Sequence, residues 1–185
     1  MKKILALILI LAAIVAVFYY LSRKDSGNKT ETSTASDNDN SGFQPDPSNA
    51  TFIFDDGPVT LSAGRSEKSA SPGNAFVEEI VILDKFAYGD INADNKMDTV
   101  LLLARYGAGS GSFIYLVGFA SGPVTYKGSE VLFIGDRISP QSISINQGVI
   151  TMEYLDRAPD EPFAAEPTIS VSKQFVYKNG EFVAR

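Results

Sequence analysis

Short runs rich in β-branched and aromatic residues recur along the chain, separated by Gly, Pro, Asn and Asp. Runs of this kind bounded by turn residues predict β-strands. They predict strands at residues 51–54, 59–61, 76–86, 99–105, 112–119, 130–134, 141–146, 149–155, 169–177 and 181–183. No long stretch shows a helical period. We therefore predict one mostly β domain over residues 51–185, built as a small sandwich or partly open barrel.

Two tight turns are clear in the same region. Asn146-Gln147-Gly148 separates the predicted strands 141–146 and 149–155, and Lys178-Asn179-Gly180 separates the last two. Asn and Gly adopt the positive φ that a two-residue hairpin turn needs. Both pairs of strands are therefore predicted to be antiparallel hairpins.

The N-terminus carries an unbroken apolar run over residues 4–21, with Lys2 and Lys3 before it and Arg23 and Lys24 after it. About 20 apolar residues can cross a bilayer as a helix. A cleaved signal peptide is the alternative, but its apolar core has roughly 7 to 15 residues and small residues at the cut. Bulky residues occupy positions 18–21 here. We predict an uncleaved signal-anchor helix over 1–24, with the N-terminus cytoplasmic and the domain extracytoplasmic, in the periplasm or at the cell surface.

Residues 25–50 form a polar segment rich in Ser, Thr, Asn and Asp, with Phe43 as its one aromatic residue. A segment of this composition cannot bury enough apolar surface to offset the entropy of ordering it. We predict a disordered linker that holds the domain away from the membrane.

Composition excludes several classes of function. Cysteine and histidine are absent, which removes thiolate and histidine-dependent catalysis and zinc sites built from either residue. The net charge is −6, and because residues 1–24 carry +4, the rest of the chain carries −10. An acidic soluble part argues against nucleic acid as a partner.

One loop has the spacing of a metal site. In Asp90-Ile91-Asn92-Ala93-Asp94-Asn95-Lys96-Met97-Asp98, oxygen-bearing side chains fall at loop positions 1, 3, 5 and 9. Hard cations such as calcium prefer carboxylate, amide and backbone carbonyl oxygens. The predicted ligands are the side chains of Asp90, Asn92, Asp94 and Asp98 and the backbone carbonyl of Lys96.

This acidic loop, residues 90–98, departs from the EF-hand. Position 6 is Asn95, where an EF-hand has Gly, and position 12 is Leu101, where an EF-hand has a bidentate Glu. Leu101 also falls in a predicted strand. The alternative is a metal-free turn held by side-chain-to-backbone hydrogen bonds. We predict a calcium ion that stabilises the fold, because three aspartates in one loop would repel each other without a cation.

Residues 88–101 resemble the calcium loop of FG-GAP and related integrin-type repeats, although here the loop occurs once. Further stretches resemble an uncharacterised family of bacterial surface and lipoprotein-type domains; they lie at 109–116, 134–138, 154–157 and 159–168. This resemblance implies an extracytoplasmic domain of the bacterial envelope of unknown activity, with the membrane helix in place of an acylated cysteine. Its partners would be the membrane and an unidentified envelope protein or polymer.

Other polar clusters define the alternative function. The glycine-rich stretch 107–112 is predicted to be a hairpin or bulge, because no helix or Gly-Lys-Ser/Thr follows it. The pairs Asp136-Arg137 and Asp156-Arg157 are predicted to form local ion pairs or turns. A hydrolase of envelope polymers would instead use two carboxylates across a cleft. Its candidates are Asp136, Asp156, Glu161 and Glu166. We favour a non-catalytic interaction or structural domain.

Overall fold

A computed structural model describes residues 43–69, 77–107, 109–162 and 164–185. The predicted anchor and linker residues 25–42 lie outside this part of the chain. The described residues form β-strands and no helix, so none of them forms a helix able to span a membrane. The mostly β prediction is confirmed, and the largest sheet curls into a half-barrel.

The strands form three sheets in which neighbouring strands are antiparallel. The first is a hairpin of β1 (Thr51–Phe54) and β2 (Gly57–Thr60). The second, in the order β3-β4-β5-β6-β7 with β8 also paired to β6, contains β3 (Arg65–Ser69), β4 (Val77–Gly89), β5 (Asp98–Tyr106), β6 (Ser112–Ala120), β7 (Lys127–Gly128) and β8 (Leu132–Asp136). The third, in the order β12-β11-β10-β9, contains β9 (Ser139–Asn146), β10 (Val149–Asp156), β11 (Ile169–Lys178) and β12 (Glu181–Ala184).

Strand β5 is the centre of the domain because both of its faces are covered. Val100, Leu102 and Ala104 belong to a core shared with β10 and β11, whereas Leu101 and Leu103 belong to a second core shared with the β1–β2 hairpin. Successive side chains of a strand point to opposite faces. A strand buried on both faces therefore needs the continuous apolar run that residues 100–104 supply.

Both predicted hairpin turns are present. Gln147 and Gly148 have φ of 49° and 74°, and Asn179 and Gly180 have φ of 54° and 98°. The left-handed conformation at both central residues is the one a two-residue hairpin turn requires.

The curl of the large sheet comes from strand β4. Its pairing with β5 shifts register between Ile82 and Phe86, which marks a bulge. The far end of β4 then comes close to β9, where a Cβ on Gly89 would lie 2.8 Å from the Ile145 side chain. Glycine at this position allows the two sheets to meet.

The end of the predicted linker packs on the domain. Pro45 and Pro47 are buried, Ala50 belongs to the second core, and the buried Thr99 hydroxyl donates to the Pro45 carbonyl oxygen at 2.7 Å. This segment therefore covers one face of the large sheet before β1 begins.

Candidate metal-binding loop

The acidic loop connects two adjacent strands of the large sheet. It begins directly after β4 and ends at Asp98, the first residue of β5. Ala93 and Asn95 have φ of 63° and 62°, so both adopt the left-handed conformation. Asparagine tolerates this conformation better than most residues, which explains Asn95 at the position where an EF-hand has glycine.

Asp90 organises the backbone of the loop. Its Oδ1 accepts hydrogen bonds from the amides of Asn92, Ala93 and Asp94 at 3.2, 2.7 and 3.3 Å. Its Oδ2 accepts from the Asn95 amide at 2.8 Å. One carboxylate thus satisfies four successive loop amides, which a buried or tightly turned backbone needs.

Asn92 and Asp94 connect the loop to the segment between β6 and β7. The Asn92 side-chain amide donates to the Ser121 carbonyl oxygen at 2.8 Å. The Ser121 hydroxyl donates to Asp94 Oδ2 at 2.5 Å, and Asp94 Oδ1 accepts from the Lys96 amide at 2.9 Å. Ser121 therefore belongs to this site, although the sequence analysis did not select it.

Asp98 is fully buried at the base of the loop. Its Oδ2 accepts from the Ile91 amide at 3.0 Å, and its Oδ1 accepts from the Ser121 amide at 2.7 Å. Burial raises the pKa of the Asp98 carboxyl, and the charge of Asp94 raises it further against the opposing effect of these two hydrogen bonds. Asp98 thus joins the start of β5 to the backbone at Ile91 and at Ser121, although burial disfavours its charged form.

Asp94 has the opposite shift. The Ser121 hydroxyl, followed by the Lys96 amide and ammonium, holds the pKa of Asp94 below its usual range. The Lys96 ammonium lies 3.6 Å from Asp94 Oδ2. The negative charges of the loop also reach Tyr126, whose pKa is raised first by burial and then by Asp98 and Asp94. The loop is therefore a region of negative potential.

The donor chemistry of the loop fits a hard cation, because its side chains offer carboxylate and amide oxygens. The arrangement is nevertheless complete through hydrogen bonds. No buried side-chain nitrogen or oxygen among the described residues lacks a partner. Within the same ranges, no three acidic, histidine or cysteine side chains come together in a way that could hold a metal ion. Calcium binding by Asp90, Asn92, Asp94, Lys96 and Asp98 stays a prediction.

The glycine-rich stretch is held by partners within the protein. The Arg137 guanidinium donates from Nε to the Ser110 carbonyl oxygen at 2.8 Å, and the Ser112 amide donates to Asp136 Oδ1 at 3.0 Å. Arg137 also lies 3.4 Å from the Asp136 carboxylate, which is the predicted local ion pair.

The four acids of the alternative hydrolase lie at strand ends and in one loop. Asp136 ends β8 and Asp156 ends β10, while Glu161 and Glu166 lie between β10 and β11. The Asp156 carboxylate accepts from the Arg157 amide at 2.8 Å, and Glu161 accepts from the Ala158 amide at 2.8 Å. Asp156 and Glu161 thus bind nearby backbone amides, and three surface clefts of the described region are lined by residues other than these four acids.

No family model, no curated protein and no solved structure matches this chain. The resemblance of the loop to FG-GAP repeats, and of the domain to bacterial surface domains, therefore stays a prediction.

Proposed function

We propose that this chain is a membrane-anchored, extracytoplasmic, non-catalytic domain of the bacterial envelope that is stabilised by calcium in the acidic loop. One observation carries this proposal. Residues of the acidic loop and Ser121 bind each other through side chains and backbone, so the loop holds the β4–β5 and β6–β7 connections together. Such an arrangement supports a stabilising role for the loop.

Calcium is supported by the charges of the loop. Asp94 raises the pKa of the buried Asp98, so two carboxylates repel each other inside one small site. A divalent cation would offset this repulsion and accept oxygen ligands from the predicted set, including the Lys96 carbonyl. The ion would stabilise the fold, because Asp90 and Asp98 already bind the backbone that positions the neighbouring strands.

The membrane anchor is supported by the length of the apolar run at residues 4–21 and by the polar composition that follows it. The helix would hold the N-terminus in the cytoplasm and the acidic domain outside. The partner would then be an envelope protein or polymer, which the domain would bind without catalysing a reaction.

Terbium luminescence tests the metal proposal. Terbium replaces calcium at oxygen sites and is sensitised by a nearby tyrosine, and this chain has no tryptophan to compete. Tyr126 is well placed because its hydroxyl donates to the Met97 carbonyl oxygen at 2.9 Å. Full-length protein in detergent should give tyrosine-excited terbium emission that calcium displaces. Asp94→Asn should lose it.

Asp84→Asn is the matched control, since Asp84 is an aspartate whose side chain is 94% exposed in β4, outside the loop. The proposal would be wrong if emission were absent, or if both variants reduced it equally.

Topology is tested by labelling. Because the chain has no cysteine, Asp160→Cys places one thiol at an exposed position of the domain. A membrane-impermeant maleimide should label it without lysis of the cytoplasmic membrane. Labelling only after that membrane is disrupted would contradict an extracytoplasmic domain.

A further inference from the structure

A surface cleft lies at the edge of the large sheet, between strands β1 and β7. We call it the β1–β7 cleft. Its wall and rim carry the apolar side chains of Phe119, Tyr126 and Ile53 and the polar side chains of Asp46, Thr51 and Lys127. Ile53 is 42% exposed, and Asp46, Thr51 and Lys127 are also exposed residues. Apolar and polar groups therefore meet in one open concavity.

The close approach of two strands forms the floor of this cleft. A Cβ on Gly128 would clash with the Thr51 carbonyl oxygen, so only glycine allows β1 to lie this close. The Ile53 amide donates to the Ser129 carbonyl oxygen at 3.1 Å, and the Val131 amide donates to the Ile53 carbonyl oxygen at 3.0 Å. Backbone hydrogen bonds thus fix the shape of the cleft.

The aromatic side chains of the cleft are held in place. The rings of Phe119 and Tyr126 lie 5.4 Å apart between centroids, with 31° between their planes. The Tyr126 hydroxyl is bound to Met97, and the Phe43 ring packs on Tyr126 at 5.8 Å. Because the Tyr126 ring is held at its hydroxyl and by a neighbouring ring, it loses little conformational entropy when it binds a ligand.

The polar rim carries both signs of charge. Hydrogen bonds from the Ser48 amide and hydroxyl hold the pKa of Asp46 below its usual range, so this carboxylate stays ionised. The Lys127 ammonium supplies the opposite charge, and Thr51 supplies a hydroxyl. The Asp46 carboxylate would repel a simple anion, and the Lys127 ammonium would repel a simple cation. A neutral ligand with many hydroxyl groups can use the carboxylate as an acceptor and the ammonium as a donor.

We infer that the β1–β7 cleft binds a pyranose ring of a neutral polysaccharide. Such a ring has an apolar C–H face that packs on an aromatic side chain and hydroxyl groups at its edge that meet polar side chains. This inference rests on the proposed function, because it names the ligand class of the proposed envelope interaction domain. The site is separate from the acidic loop, although Tyr126 connects the two through Met97.

Saturation-transfer NMR on the full chain in nanodiscs tests this inference. The probes are cellotetraose, maltotetraose and chitotetraose, each at about 1 mM, where weak sugar complexes with dissociation constants of this order are populated. At least one should receive saturation at its ring C–H protons. Tyr126→Leu should weaken that binding about tenfold, the factor of one lost aromatic contact of about 1.4 kcal/mol.

Two variants make the result specific. Tyr126→Phe keeps the ring and should keep binding, even though it loses the hydrogen bond to Met97. Tyr106→Leu removes another tyrosine, 37% exposed at the end of β5, and should leave binding unchanged. If Tyr126→Leu does not fold, Lys127→Ala at the exposed rim should weaken binding in its place.

The inference would be overturned if none of the three sugars received saturation, or if neither Tyr126→Leu nor Lys127→Ala weakened binding. If sugar binding fails while calcium still displaces the terbium emission, the ligand class is wrong and the calcium proposal stands.

Discussion

The Ser121 hydroxyl donates a hydrogen bond to Asp94 Oδ2 at 2.5 Å, while the Ser121 amide donates to Asp98 Oδ1 at 2.7 Å. Ser121, the residue that follows β6, therefore contacts two carboxylates of the acidic loop. Its carbonyl oxygen also accepts from Asn92. This contact is the most direct physical connection between the loop and the neighbouring strand end.

Ser121→Ala should destabilise the domain, because the Asp94 carboxylate loses the hydrogen bond that the Ser121 hydroxyl donates, while the Ser121 backbone contacts remain. Urea unfolding in the presence of a chelator measures this change. Ser110→Ala, in the exposed glycine-rich stretch, is the control and should change the free energy of unfolding by less than about 0.5 kcal/mol. Equal effects of the two substitutions would contradict a specific role for Ser121.

Asp98→Asn should also destabilise the domain, by about 1–3 kcal/mol at neutral pH without calcium. An amide has one acceptor oxygen where the carboxylate has two, so either the Ile91 or the Ser121 amide loses its partner in a fully buried site. Removal of the buried charge offsets part of this loss. The measurement is the midpoint of urea unfolding, and an unchanged midpoint would show that these two hydrogen bonds contribute nothing net.

The ion pair between Arg105 and Asp56 should make stability depend on acid pH. The Arg105 guanidinium donates to Asp56 at 3.1 and 2.5 Å and holds the pKa of that carboxyl below its usual range. A lowered pKa contributes stability that is present above the unfolded value of about 3.9 and is lost as the pH falls through the folded value.

Asp56→Asn should therefore lower the melting temperature at pH 7, and the difference from the natural protein should shrink as the pH falls below about 4. Asp55→Asn, at the exposed neighbouring position, is the control. A difference that stayed constant from pH 7 to pH 3 would contradict this account.

Leu102→Ala should cost about 2–5 kcal/mol, because Leu102 is fully buried between β5 and the third sheet and its truncation leaves a cavity. Val124→Ala, at a side chain that is 96% exposed, is the control. Equilibrium denaturation compares the two, and a cost below about 1 kcal/mol for Leu102→Ala would contradict the burial of this face of β5.

The sequence was sufficient to predict most strands, because residues 100–104 and the hairpins at Gly148 and Gly180 combine apolar runs with turn residues. Strand β3 was missed because Arg65–Ser69 has no aliphatic or aromatic residue. Its place depends on pairing with β4, where Arg65 Nε lies 3.0 Å from the Glu79 carboxylate. A strand that forms because it pairs with a neighbouring strand leaves no signal in its own residue pattern.

Ser121 was missed for a related reason. No motif links a serine in one loop to aspartates in another, and only the antiparallel register, with Thr99 opposite Phe119, brings the two loops together. That register follows from the predicted strands 99–105 and 112–119. Extending it past their ends would have pointed to residue 121.

Calcium bound in the acidic loop should stabilise the domain. Thermal unfolding of the full chain in detergent, with millimolar calcium and with a chelator, tests it most directly. A ligand of the folded state at 100 times its dissociation constant adds about 2.7 kcal/mol, which should raise the midpoint by several degrees. This rise should appear in the natural protein and in Asp84→Asn, and it should be lost in Asp94→Asn. An identical midpoint with calcium and with chelator would contradict it and leave the loop a hydrogen-bonded turn.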